Sequence, residues 1–440
     1  MTSPHPDVPS AAPAPGVSPQ YKWWVVFMLW FVCFFNYADR QAIFAVFPKL
    51  ADEFGFDPVD LGWISSAFMW VYAGAAPMAG FIGDRMRRKD LILGGCLFWS
   101  FITITTGWCG KLWHFVTVRA AEGLGETFYF PASMSLVSDY HSPASRSRAM
   151  SFHQSSVYIG TIMGSWVGAW FAEHHGWRYG FYCFGAAGMV LAVVLYRFLR
   201  EPPRGQSELV YSPEASVAPL SAREALGEIF RTPTAVVLMS VFLCANFVAT
   251  IFLAWTPTFL VEKFQFRLTT AGLSGAVFIH LASALSVPVG GALADMLSLR
   301  TPGGRMLVQA AGLAGGAAFV FLVGMTRDVA TLIGAMTVFG LCKGLYDSNI
   351  FASVYDVVHP RARSTAAGIM NTVGWGGGAL GPVWVGWVAK HGQYGSKVEN
   401  MSHAIAFGGA IYVVGALLLA TAVLFLAKRD VKTSWQDVPR

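Results

Sequence analysis

Twelve long apolar stretches, most of them separated by short polar gaps, constrain this chain more than any other feature. They run over about 22–47, 59–83, 90–110, 114–138, 148–172, 178–199, 234–260, 270–294, 305–326, 329–357, 364–389 and 403–427. Each has the roughly 20 residues that a helix needs to cross a hydrocarbon core. Composition agrees: of 440 residues, 55% are apolar and 13% charged, against about 25% charged in a soluble domain. That excludes a soluble enzyme and a disordered scaffold. The first stretch lacks a short apolar region followed by a small-residue cleavage site, so it reads as a retained helix and not a signal peptide. Residues 1–20, rich in Pro, Ser and Ala, read as a disordered tail. The cysteines, Cys33, Cys96, Cys109, Cys183, Cys244 and Cys342, all fall in or beside apolar segments without C-x-x-C spacing. They read as small hydrophobes and imply neither a disulfide framework nor a metal.

The net charge of +6 suggests nucleic acid until its positions are examined. Of the 31 lysines and arginines, 20 fall in gaps on one side of the predicted spans, 8 on the other, and Arg40, Arg119 and Lys343 lie inside spans. The cation-rich side is cytoplasmic by the positive-inside rule, and an even number of spans puts both termini there. Dispersed short-loop cations without a soluble aromatic-rich module exclude nucleic-acid binding. The longest gap, about 200–233, is charged, contains five prolines and divides the chain in two. The expected organisation is a tail (1–20), a six-helix bundle (21–199), a cytoplasmic linker (200–233), a second six-helix bundle (234–427) and a C-terminal tail (428–440). Gly80 and Asp84, followed by Arg85, Arg87, Arg88 and Lys89, lie between the second and third spans. Gly291 and Asp295, followed by Arg300 and Arg305, lie at the matching place in the second half. This repeat suggests duplication, as in many secondary transporters.

The stretch from Gly80 to Lys89 resembles the signature loop of the major facilitator superfamily, usually written G-x-L-A-D-R-x-G-R-[RK]. Ile82 and Gly83 replace its Leu-Ala, and Arg87 stands where Gly is usual. The resemblance implies an all-α membrane protein of twelve helices in two six-helix bundles, working by alternating access. It also implies that Gly80, Asp84, Arg85, Arg88 and Asp295 form a cytoplasmic gate that sets the conformational state. Asn36-Tyr37-Ala38-Asp39-Arg40, with Arg119, Glu126 and Phe130-Pro131-Ala132, is similar to anion:cation symporters that move sugar acids and other organic anions with protons. The run from Arg200 to Gly205, and Gly123-Leu124-Gly125-Glu126, is similar to Spinster-type lysolipid and sphingolipid transporters.

An ionisable side chain at mid-bilayer costs about 2.5–3.5 kcal/mol on insertion scales, so it must face protein or a water-filled cavity. The spans contain seven: Asp39, Arg40, Arg119, Glu122, Glu126, Lys343 and Asp347. Positions 119, 122 and 126 share one helical stripe, and Lys343 and Asp347 share another. In the resembling family, spans one, four, seven and ten line the central cavity. Arg40 and Arg119 are thus expected to hold an anionic group, for which guanidinium geometry is suited. Glu126, then Asp39, are the expected proton carriers: substrate occupancy of an arginine frees its carboxylate to take a proton. Tyr37, Asn246, Tyr346 and Asn349 are candidate substrate-selecting groups. The opposing reading is that some of these charges are structural pairs. Arg40 with Asp39 or Glu126, and Lys343 with Asp347, both admit it, and Glu122 stays open between the two. Asp356 is expected to be solvated, His153 and His280 to be packing residues, and Trp23, Trp24, Trp113 and Trp177 to be interfacial anchors.

The sequence contains no H-E-x-x-H, G-x-x-x-x-G-K-[ST] or G-x-S-x-G pattern, so no enzyme is expected, and no cofactor is implied. Two substrate classes stay open: a small organic anion carried with protons, and an amphiphilic lipid. A non-transporting sensor of the same fold is a third reading. The expected setting is a multi-pass monomer in the bacterial inner (cytoplasmic) membrane, with the lipid bilayer as its solvent.

Overall fold

The computed structural model describes residues 20–83, 86–141, 143–202, 222–359 and 362–431. The expected gate residues Asp84 and Arg85, most of the expected N-terminal tail and linker, and most of the C-terminal tail lie outside the described residues. The described chain is helical almost throughout. Its first half comprises α1 (Tyr21–Ala45), α2 (Phe47–Phe54), α3 (Pro58–Gly83), α4 (Arg88–Thr106), α5 (Leu112–Glu126), α6 (Tyr129–Tyr140), α7 (Pro143–His174) and α8 (Trp177–Phe198). The short α9 (Ala222–Arg231) precedes the second half. That half comprises α10 (Pro233–Phe264), α11 (Leu268–Ser298), α12 (Gly304–Met325), α13 (Val329–Asp347), α14 (Ile350–Val357), α15 (Arg363–Gly378), α16 (Leu380–His391) and α17 (Lys397–Thr421), which continues to Asp430. Among the described residues, six helical segments are by themselves long and apolar enough to cross a membrane: α8, α10, α11, α12, α13 with α14, and α17 with its continuation.

Three of the expected spans are not continuous rods. The stretch 114–138 breaks between α5 and α6, 329–357 between α13 and α14, and 364–389 between α15 and α16. Breaks within an apolar layer need other groups to satisfy the freed backbone. At the first, the Thr127 hydroxyl donates to the carbonyls of Gly123 (2.9 Å) and Tyr72 (3.2 Å). At the second, the Asn349 amide donates to the Gly290 carbonyl on α11 (3.1 Å). Helical periodicity cannot register an interruption of one or two residues, because both sides are apolar. Two of the three breaks fall directly after Glu126 and Asp347, so each half ends one helix on a carboxylate.

Close helix contact positions α1. A Cβ at Gly164 of α7 would lie 2.3 Å from the Ala38 carbonyl, which only glycine avoids. The same helix meets α11 across the two halves, where a Cβ at Gly272 would lie 2.6 Å from the Ser165 carbonyl. A continuous apolar core also joins the halves, including Phe44, Phe47 and Phe68 on one side and Trp255, Phe259 and Phe339 on the other. The Phe47 and Trp255 rings meet at 6.0 Å.

The two ends of the molecule differ. At the end carrying few cations, polar ties cross between the halves. Lys390 Nζ bonds Asp57 at 2.5 Å, and Glu173 accepts from Arg267 Nε (2.9 Å) and from the Thr269 amide (2.9 Å) and hydroxyl (2.6 Å). At the cation-rich end, the ion pairs described join residues of the same half. Arg88 pairs with Asp139, while Arg305 reaches both Asp295 (3.1 Å) and Asp356 (3.0 Å). Asp356 is therefore a half-buried ion-pair partner and not the solvated residue expected, because the break before α14 turns it toward α12. Trp23, Trp24 and Trp113 are exposed, but Trp177 is buried and its indole donates to Glu53 (2.7 Å). A cluster of Phe54, Phe115 and Phe181 encloses that ring.

Candidate transport cavity

A cavity of about 210 Å³ lies between the halves. Its first-half wall carries Tyr37, Arg40 and Gln41 from α1 and Gln154 and Tyr158 from α7. Its second-half wall carries Asn246 from α10, His280 from α11, Lys343 and Asp347 from α13 and Trp375 from α15. A larger groove, about 720 Å³, lies between α1 and α8, but none of the charges inside the spans lines it. The smaller cavity is the candidate site because three of the charges that are expensive in a membrane, Arg40, Lys343 and Asp347, line it from both halves.

Arg40 is the central group of the first wall. Its Nε donates to Glu126 Oε2 at 3.0 Å, and its Nη2 makes a second, closer contact with the same oxygen. Nη2 also reaches Asn36 Oδ1, one turn earlier on α1, at 3.4 Å. The guanidinium sits among four rings, those of Tyr37 (4.6 Å), Phe68 (4.5 Å), Tyr72 (5.5 Å) and Trp375 (5.5 Å). Such rings attract a cation within about 6 Å through their quadrupoles. Trp375 comes from the second half, so the cage closes only when the halves meet.

Behind this wall lies a second layer. Arg119 pairs with Glu122 on α5 and stacks over Phe68 (4.8 Å) and Phe44 (5.7 Å); it is 1% exposed and does not line the cavity. Asp39 is also behind the wall. Its Oδ2 accepts from Thr103 at 3.4 Å, while its Oδ1 has no hydrogen-bond partner. At and behind this wall lie two guanidiniums and three carboxyls, and Asp39 is the carboxyl of the three that forms no described ion pair. Arg40 and Glu126 come together across α1 and α5, whereas Arg119 and Asp39 stand one layer back.

On the second wall, Lys343 and Asp347 form an ion pair within α13 and face the cavity. Asn246 also lines it, with its amide bound to the Phe242 carbonyl of its own helix (2.9 Å). Tyr346 and Asn349 do not. Tyr346 is buried among second-half residues, and Asn349 ties α14 to α11. Of the gate residues, Gly80 lies in the last turn of α3. Arg88 pairs with Asp139 and donates to the Ser135 carbonyl (3.3 Å). The run after α8 that resembles lipid transporters acts locally, since Glu201 accepts from the backbone amides of Arg88 (3.0 Å) and Lys89 (2.7 Å). A carboxylate there satisfies the free amides at the start of α4 and complements its dipole.

Sequence reasoning missed the aromatic cage and the α7 contribution. Tyr72, Trp375, Gln154 and Tyr158 are single residues in apolar runs, and no local spacing distinguishes them. His280 was expected to pack, yet it lines the cavity with its ring 6.2 Å from that of Tyr158.

The family model described as Major Facilitator Superfamily matches residues 29–382. Among characterised relatives, the probable galactarate/D-glucarate transporter GudP of Bacillus subtilis (strain 168) is 26% identical over 448 residues, 96% of this chain and 94% of that protein. Human protein spinster homolog 1 is 28% identical over 322 residues, 70% of this chain and 61% of that protein. A crystal structure of a bacterial homolog to the human lysosomal transporter Spinster, inward-facing and unoccupied, has the same fold. It superposes with a TM-score of 0.82 at 20% identity, covering 95% of this chain and all of that one.

Proposed function

The chain belongs to the Major Facilitator Superfamily and is a multi-pass integral membrane transporter, not an enzyme; from that premise we propose proton-coupled symport of a small organic anion, a sugar acid or another carboxylate. It crosses the membrane twelve times with both termini cytoplasmic, and it works by alternating access between its halves. The ties Asp57–Lys390 and Glu173–Arg267 close its outer end in this conformation. The observation that carries the reading is that Arg40, which lines the cavity, is held from behind by the buried Glu126. An anion that takes Arg40 competes with Glu126 for one guanidinium. A buried carboxylate stripped of its cation is costly, and a proton relieves the cost. Anion and proton therefore enter together. Asp39 is the second proton carrier, and Arg119 supports Glu122 behind the wall.

The test is transport in proteoliposomes with an imposed pH gradient. Glu126→Gln is expected to abolish proton-driven accumulation while preserving substrate exchange. Loss of both in a folded variant would make Glu126 structural and overturn the coupling. Accumulation that follows a sodium gradient instead would overturn the proton assignment.

The relationship to Spinster supports a second reading, an amphiphilic lipid as substrate. A cavity of about 210 Å³ lies below the range of roughly 300–1,000 Å³ usual for drug-sized ligands, and a lysolipid is larger still. The size of the enclosed space favours the small anion.

A further inference from the structure

We infer that Lys343 and Asp347 form a second anion-binding locus on the wall opposite Arg40, and that the substrate is a short dicarboxylate bridging the two halves. This rests on the anion-transport reading above.

The first observation is that architecture does not account for the pair. Arg40–Glu126 joins α1 to α5, and Arg305–Asp356 joins α12 to α14, so each ties two elements together. Lys343 and Asp347 sit four residues apart on one helix and tie nothing together. A spacing of i,i+4 contributes only a few tenths of a kcal/mol to a helix, far below what charges inside a membrane cost. The pair is also more open than its first-half counterpart. Its side chains are 17% and 31% exposed, against 8% and 0% for Arg40 and Glu126.

The second observation is where the pair stands. Both residues line the same small cavity as Arg40. Asp347 closes α13 as Glu126 closes α5, each directly before a helix break. The same device, a cavity-lining cation held by a carboxylate at the end of a broken helix, thus occurs once in each half. Lys343 carries three donors and gives one to Asp347, so two are free to receive a ligand oxygen. Polar groups from other helices surround the place, including Tyr158, Gln154 and His280. One cation on each half suits a ligand with an anionic group at each end. Such a ligand engages both halves at once, as a substrate that promotes their closure must.

The experiment uses the full-length protein in proteoliposomes and two six-carbon acids with the same configuration along the carbon chain, galactarate with two carboxylates and galactonate with one carboxylate and a terminal hydroxymethyl group. Each competes against the exchange of labelled galactarate. In the wild type, galactarate is expected to compete roughly 10- to 100-fold better, the range of a hydrogen bond to a charged group. The double variant Lys343→Gln/Asp347→Asn removes the pair without leaving a lone charge. It is expected to erase that preference by weakening galactarate alone, with galactonate changed less than about twofold, again by the conversion of small free energies to ratios. Equal weakening of both acids would make the pair structural, and an unchanged preference would make it a bystander; either overturns the inference and leaves the anion reading standing. If the wild type exchanges neither acid, labelled directly, the anion reading falls and the inference falls with it.

Discussion

The two halves of the molecule handle membrane charge differently. The first buries Asp39, Arg40, Arg119, Glu122 and Glu126 in two layers, each no more than 7% exposed, with rings packed around both guanidiniums. The second places one ion pair, Lys343–Asp347, in its wall and leaves both partners partly open to the cavity. A buried pair between helices is coupled to packing, so breaking it disturbs both fold and state. An open pair on one helix can exchange partners at little cost. Under the proposed function, the comparison separates a half that would convert occupancy into a protonation change from a half that would read the far end of the ligand.

The strongest way to break this contrast is to remove one cation from each wall. Arg40→Ala leaves Glu126 buried and unpaired, and it is expected to destabilise the folded protein by about 3–5 kcal/mol while abolishing transport. Lys343→Ala is expected to cost no more than about 1 kcal/mol, as for a solvent-accessible pair. Thermal unfolding of both variants in detergent checks the difference, and equal losses would erase the distinction between the halves. Arg40→Ala/Glu126→Ala should recover part of the lost stability without recovering transport, which a double-mutant cycle reads directly.

Packing gives a smaller effect. Gly164→Ala puts a methyl group 2.3 Å from the Ala38 carbonyl and is expected to cost about 1–3 kcal/mol by displacing α1 from α7. Gly376→Ala, whose new Cβ finds only Ala73 at 3.9 Å across the halves, should be nearly neutral. Similar unfolding temperatures for the two variants would show that the α1–α7 contact yields as readily as the open site between α3 and α15.

The smallest effect concerns the outer end. Hydrogen bonds from the Thr269 hydroxyl and amide, aided by Arg267, hold the Glu173 carboxyl at about 2, below its ordinary 4.5. A depressed carboxyl contributes fully above its ordinary value and loses that contribution as pH falls toward the lowered one. The tie is therefore intact at neutral and mildly acidic pH, and it weakens between about 4.5 and 2. Glu173→Gln should shift the population toward outer opening at neutral pH. Spin-label distances between the outer ends of α7 and α11 would show a longer component. An unchanged distance distribution would assign the outer closure to Asp57–Lys390 and apolar packing instead.

Much of the fold was legible because a bilayer leaves few alternatives. The length of an apolar run, the placement of cations and the repeat at Gly80 and Gly291 are local or nearly local, and helices satisfy their backbones locally. The same reasoning found the charges inside the spans, since their cost in lipid makes each conspicuous. It could not order them by depth. Arg40 and Arg119 have equal standing as intramembrane arginines, yet one faces the cavity and the other stands behind Phe44 and Phe68. That order depends on the rotation of α1 and α5 about their axes, which is set by contacts such as Gly164 against Ala38 between residues far apart in sequence.

The sequence alone thus determined that this chain is a helical membrane protein of a transporter family, and which ionisable side chains must find partners within it. The tertiary structure decided which partners they find. Glu126 went to Arg40 on another helix and not to Arg119 seven residues earlier on its own; Glu201 went to the start of α4; Lys343 was turned into the cavity beside Tyr158 and His280. The cost of an unpaired charge in lipid is a property of the residue and can be read in one dimension. The relief of that cost depends on distance and direction, which exist only once the helices have packed.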